Sequence, residues 1–190
     1  MKKPVPYDQY PAKQIKMKNG EKINIRLFTK KDLAGIWQNF NEVVAEGIYL
    51  PVYTPVLTEW ERISWYHDIR DEGNICVIAE DPLANSMNNI AGQLTIEHIP
   101  WEAASHVGQL GIIVNNNYRN QGIGYELIRY GAKLAKLIGK QKLILSTLIS
   151  NLSAIHLYEK CGFRSVGVYH QQYFLNNKFQ DELLMEWIFN

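Results

Sequence analysis

Between positions 118 and 124 the chain reads Tyr118-Arg119-Asn120-Gln121-Gly122-Ile123-Gly124, a cation followed by two glycines in a polar run. Glycines let a ligand approach the backbone closely. If a helix opens there, its unpaired N–H groups and the positive end of its dipole favour a phosphate or pyrophosphate, and Arg119 adds a charge-assisted bond. The run is not a P-loop, because no Lys-Ser or Lys-Thr follows the last glycine, and it lacks the three spaced glycines of a dinucleotide fingerprint. On spacing alone, phosphate binding and a plain strand-to-helix turn both stay open. Farther along, Asn151, Ile155 and Tyr158 stand at i, i+4 and i+7, one face of a helix. Cys76 and Cys161 match no zinc or redox spacing and read as buried thiols. His67, His98, His156 and His170 are scattered, so no metal is expected.

These residues need elements to hold them. Ile23, Ile25 and Leu27 alternate with polar neighbours over 22–28, the period of a half-buried strand. Thr29 with Asp32 resembles a capping box, and Leu33, Ile36, Trp37, Phe40 and Val44 follow at helical spacing. Residues 47–57 are apolar and irregular and hold two prolines, which suits a loop packed over something. Thr58 caps a second helix to about Asp71. Strands are expected at 75–79 and 90–96, joined through an Asn-rich tip at 85–89. Then come a strand over 107–114, a polar loop and a long helix carrying Ile123, Leu127, Leu134 and Ile138. A buried strand over 142–148, a short helix capped by Asn151 and stopped at Gly162, and two strands flanking Asn176-Asn177 complete the chain.

Length and composition bound the answer further. The 190 residues, 46% hydrophobic and 12% aromatic, suit one domain over 21–190 behind an extended arm over 1–20. A net charge of +1 supplies no general attraction for nucleic acid or anionic lipid. No stretch reaches the roughly 18 apolar residues of a membrane span, and a cytoplasmic protein is expected.

The strand Leu110-Gly111-Ile112-Ile113-Val114 with the glycine run resembles the Arg/Gln-x-x-Gly-x-Gly/Ala acyl-CoA motif of the GCN5-related N-acetyltransferases. About 30 residues on, the stretch from Asn151 to Phe163 is similar to that family's second motif, and the order and distance agree. The ending Phe179-Gln180-Asp181-Glu182-Leu183-Leu184-Met185 is similar to the final strand of many members. The likeness spans about 22–189. It implies an α/β fold: a mixed six- to seven-stranded sheet splayed between its fourth and fifth strands, flanked by about four helices, with acetyl-CoA wedged in the opening.

The resemblance also implies roles. Backbone N–H groups from Gln121, Gly122, Ile123 and Gly124, with the Arg119 side chain, would hold the pyrophosphate, and Asn120 belongs to the same cofactor-binding loop. Ile112, Ile113 and Val114 would pair with the pantetheine arm and leave an N–H near Ile113 or Val114 for the thioester carbonyl. Asn151 would bond the pantetheine or the departing thiol side, and Tyr158 would be the general acid, since a phenol can protonate a thiolate of similar basicity. The transfer would go directly to a primary amine, on a small molecule or a protein.

The base is less marked. Where many members carry a Glu on the fourth strand, this chain reads His106-Val107-Gly108-Gln109-Leu110. His106 shares strand parity with Gly108 and Leu110 and is the candidate base, with Glu97, Glu102 or proton loss through water as alternatives. Tyr49, Tyr53, Trp60, Trp65 and Tyr66 crowd the segment that walls the acceptor cleft in relatives, by cation-π contact or as ordinary packing. A catalytically silent acyl-CoA-binding sensor or scaffold is the rival reading. A homodimer through the final strand, Leu183 to Phe189, is expected if its edge is open.

Overall fold

Ile23, Ile25 and Leu27 are buried while their neighbours are not, so the alternation read along the chain is a true strand with one face in the core. Each of the two fully buried isoleucines contributes about 1.5–3 kcal/mol of burial. The computed structural model describes residues 5–7, 9–85 and 88–189. Its strands are β1 (Lys13–Lys16), β2 (Lys22–Leu27), β3 (Ile75–Glu80), β4 (Ile90–His98), β5 (Val107–Val114), β6 (Lys142–Leu148), β7 (Arg164–Leu175) and β8 (Lys178–Ile188). Its helices are α1 (Leu33–Glu46), α2 (Glu59–Asp71), α3 (Ile123–Leu137) and α4 (Leu152–Cys161).

One mixed sheet runs in the order β1-β2-β3-β4-β5-β6-β8-β7. Neighbours pair antiparallel except β5 and β6, which are parallel. The strand count exceeds the expected six or seven because the arm is not merely extended. Lys13–Lys16 pairs with Lys22–Ile25 through a turn at Gly20, and Val5 and Met17 join the main core. Residues 1–4 and 8 of that arm, and 86 and 87 of the expected Asn-rich tip, lie outside the described residues.

The two faces are packed differently. α3 lays Ile123, Leu127, Ile128, Leu134 and Ala135 on the face that carries Leu94, Ile96, Leu143 and Met185, and α4 adds Tyr158 and Cys161 to the same cluster. α1 and α2 cover the other face with a smaller cluster of Phe28, Ile36, Trp37, Ile69 and Ile78, edged by Trp65 and Tyr66. Thr29 and Asp32 do form a capping box, but on a single 3-10 turn ahead of α1. There Asp32 also takes two 2.8 Å bonds from Arg26, which is why it is buried. Both cysteines are free and buried. No helix among the described residues is long and apolar enough to cross a membrane.

Candidate active site

β5 and β6 pair over three positions only, Val107 with Lys142, Gly108 with Leu143 and Gln109 with Ile144. Beyond Gln109 the strands part, so β5 from Leu110 to Val114 keeps its ladder to β4 and loses one on its other side. The Asn115 N–H donates to the Ala91 carbonyl at 2.9 Å. Main-chain groups alternate along an antiparallel ladder, so Ile113 also faces β4, whereas Ile112 and Val114 turn their N–H groups to the gap. Of Ile113 and Val114, only Val114 turns its N–H to the gap.

At the gap's upper end the chain enters α3. Asn120 and Gly122 both have positive φ, 62° and 92°, bracketing Gln121. Gly122 is the N-cap of α3 and offers no side chain, so the N–H groups of the first helical turn carry no side-chain cap. Space around Gly122 is open, whereas a Cβ at Gly124 would stand 2.8 Å from Leu157 of α4. The two glycines thus answer different demands: backbone conformation at Gly122, close helix approach at Gly124. Gln121 Oε1 accepts from the Asn19 N–H at 3.1 Å, tying the arm to this loop.

Arg119 is engaged behind the loop. Its Nε donates to the Val114 carbonyl at 3.0 Å, its Nη1 donates to Glu46 at the end of α1 at 2.6 Å, and its guanidinium stacks 4.5 Å from the Tyr49 ring centre. The ion pair with Glu46 holds the guanidinium pKa above its ordinary value. Asn115 likewise donates to Glu42 at 2.6 Å, and Asn39 to Gln93 at 3.2 Å. Residues 39, 42 and 46 lie on one face of α1, which is therefore stitched to β4 and the end of β5.

α4 begins as expected: Asn151 Oδ1 caps it by accepting from the Ala154 N–H at 3.3 Å. One face of that helix carries Tyr158, 7% exposed and edge-on to Phe163. Its hydroxyl donates to none of the described residues, and burial, then Cys161, pushes its pKa up to about 12. The phenol is protonated throughout the neutral range.

His106 is elsewhere. It precedes β5 at the end where β5 and β6 are closed by their paired positions, and its carbonyl accepts from Gln141 and Lys142. Six residues separate it from Ile112, about 20 Å of strand. It lines a separate cavity of about 530 Å³ with His98, Trp101, Glu102 and Lys140.

The opposite wall comes from loops. Tyr53, 73% exposed, donates its hydroxyl to the Phe174 carbonyl, and Asn176 donates to the Gly47 carbonyl at 2.9 Å. The segment after α1 thereby meets the β7–β8 hairpin across the gap. Trp60 is 76% exposed, whereas Trp65 and Tyr66 are half-buried and pack on Phe28 at the edge of the smaller cluster.

A half-open parallel junction beside an uncapped helix N-terminus is the arrangement implied for acyl-CoA. Residues 42–163 match the model of the Acetyltransferase (GNAT) family. The chain belongs to this family. This GNAT protein is an acetyl-CoA-dependent N-acetyltransferase. A spermidine N(1)-acetyltransferase of Vibrio cholerae is 25% identical to it over 114 residues, 60% of this chain and 62% of the relative. A ribosomal-protein-alanine N-acetyltransferase from Brucella melitensis superposes with a TM-score of 0.79 at 24% identity, over 86% of this chain and 98% of its own. A phosphinothricin acetyltransferase from Sinorhizobium meliloti, solved with acetyl-CoA, gives 0.79 at 21%, over 88% and 89%.

Within this GNAT fold one buried acid went unnoticed in the sequence. Glu182 of β8 is 6% exposed and accepts from Ser146 Oγ at 2.5 Å and Tyr173 Oη at 2.7 Å. Its strand also carries Lys178, Asp181 and Glu186, so nothing local sets this carboxylate apart. The same strand cannot offer its edge to a second copy, because β8 lies between β6 and β7. The edge strands of the sheet are β1 and β7.

Proposed function

We propose that the enzyme transfers acetyl from acetyl-CoA directly to a primary amine, on a small molecule or a protein, with Tyr158 as general acid. The observation that carries this reading is the one-sided strand at Ile112–Val114, open between an uncapped helix N-terminus and a buried, unpartnered phenol. The N–H groups from Gln121 to Gly124 receive the pyrophosphate, and Asn120 shapes the loop by its positive φ. Ile112 and Val114 bond the pantetheine arm, with the Val114 N–H toward the thioester oxygen. Arg119 secures the loop from behind through Val114 and Glu46 rather than by adding its charge to the phosphates. Asn151 turns its amide N–H toward the thiol side, its oxygen being occupied by the cap.

The amine reaches the thioester from the α1/α2 face, and the acetyl group arrives from the α3/α4 face. Attack forms the C–N bond, the tetrahedral intermediate collapses with loss of the C–S bond, and the Tyr158 proton goes to sulfur. Relatives that act on spermidine and on a ribosomal protein support an amine and leave its carrier undivided. Such an enzyme belongs in the cytoplasm, where acetyl-CoA is made available. Release of CoA thiol from acetyl-CoA tests the reading, with a panel of polyamines, amino acids, and peptides bearing free N-termini or lysines. Amine-dependent release is expected. Stabilisation by acetyl-CoA with no release would make the chain an acyl-CoA sensor, and no stabilisation would remove the cofactor site.

A further inference from the structure

β5 holds no carboxylate, yet a lysine-like amine with a pKa of about 10.4 arrives as an ammonium and must lose a proton before it attacks. Glu182 is a buried carboxyl group on β8, the strand beside the one that borders the gap. Residues that alternate along β8 divide between the two faces: Leu183 and Met185 enter the α3/α4 core, so Glu182 and Leu184 face the α1/α2 side. Ser146, two residues past the last β5–β6 pair, points the same way and stands on the strand that borders the gap. Parallel register places Ser146 at the level of Gly111, about 7 Å along the strand from the closed end. Glu182 leans back from opposite Leu148 to reach it.

The surroundings of this carboxylate do not look structural. No Lys, Arg or His among the described residues forms an ion pair with it, although it is almost wholly buried. A buried carboxyl group normally has its oxygens engaged by hydrogen-bond partners. Both of its hydrogen-bond donors, Ser146 and Tyr173, bind Oε1, and Oε2 accepts nothing from the described residues. The acid is thus oriented by one oxygen and available at the other. Other acids of this face are answered: Glu46 by Arg119, Glu186 by Lys142 and Arg164, while Glu97 is exposed opposite Gln109 at the closed end.

We propose that Glu182 Oε2 binds the acceptor ammonium and takes its proton, so that this GNAT enzyme carries its base on β8 instead of β5. The proposal rests on the acetyl-transfer reading. The ammonium gives one proton to Oε2, and the neutral nitrogen forms the C–N bond. As the C–S bond breaks, Tyr158 protonates sulfur and regains a proton from the reacting nitrogen through solvent, so one proton is released per turnover.

Glu182→Gln separates this role from a structural one, because the amide oxygen still accepts from Ser146 and Tyr173 while Oε2 becomes a donor. With butylamine as acceptor near neutral pH, kcat/KM is expected to fall about 10²-fold or more. The melting temperature and the Kd for acetyl-CoA should stay unchanged. With a dipeptide amide, whose α-amino group has a pKa of about 8, the loss should be several-fold smaller, because more of the amine is already neutral. Equal losses for the two amines, or no loss for either, would overturn the proposal while leaving acetyl transfer intact. A wild-type protein that binds acetyl-CoA and turns over no amine would overturn both.

Discussion

The two faces of the splayed sheet are built by different means. On the α3/α4 face the groups assigned to the cofactor are mainly backbone: the uncapped first turn of α3, the one-sided strand at Ile112 and Val114, and two glycines. On the α1/α2 face the groups are side chains drawn from distant elements, Tyr53 from the segment after α1, Trp60 from α2, Tyr173 from β7 and Glu182 from β8, where the post-α1 segment meets the β7–β8 hairpin. A constant ligand such as acetyl-CoA can be held by main-chain geometry, whereas an acceptor is chosen by side chains that can be exchanged without disturbing the fold. This difference explains how one scaffold is shared by relatives named for spermidine and for a ribosomal protein.

The largest expected effect tests the chemistry where the faces meet. Tyr158→Phe should lower kcat about 10²–10⁴-fold in the thiol-release assay and leave the acetyl-CoA Kd unchanged; full activity would move the acid elsewhere. Next comes the backbone side of the comparison. Gly124→Val forces a Cβ onto Leu157 and should cost about 1–3 kcal/mol, with weaker acetyl-CoA binding, read as a lower melting temperature that cofactor restores poorly. Glu46→Gln should cost about 1–2 kcal/mol by loosening α1 from Arg119, and should raise KM for the amine more than for acetyl-CoA. An equal change in both would mean that the faces are not separable.

The pH profile sharpens the same point. Burial lifts the Tyr158 pKa to about 12 in the folded chain, from about 10 unfolded. A raised folded pKa gives stability that is complete below the unfolded value and lost as pH rises through the folded one. The phenol stays protonated up to about pH 10, so if it is the proton donor proposed, kcat should show no alkaline fall between about pH 7 and 10. A midpoint inside that window would place Tyr158 in water. Smallest of all, Trp60→Ala should change stability by less than about 0.5 kcal/mol, because the ring is exposed, and should alter only KM for the amine.

Much of the fold and of the cofactor half was legible because its signals are local. The alternation in β2, the Thr58 and Asn151 caps, the glycine loop and the spacing of Asn151 to Tyr158 each lie within one element, where 2.0- and 3.6-residue periods place side chains without reference to the rest of the chain. The acceptor half was not legible in this way. Trp65 and Tyr66 are half-buried against Phe28, and nothing near them in sequence distinguishes them from exposed Trp60. His106 has the right strand parity, but three β5–β6 pairs shut it off from the gap.

The amino-acid sequence by itself therefore determined the elements, their order and the backbone motif for an acyl-CoA. Tertiary structure alone decided that the arm supplies β1, that β8 is an inner strand, that Arg119 answers Glu46 from 73 residues away, and that Ser146 orients Glu182 across 36. The reason is physical. Periodicity encodes which face of an element is apolar, but the partner of a buried charge is set by which distant strands the folded sheet brings side by side.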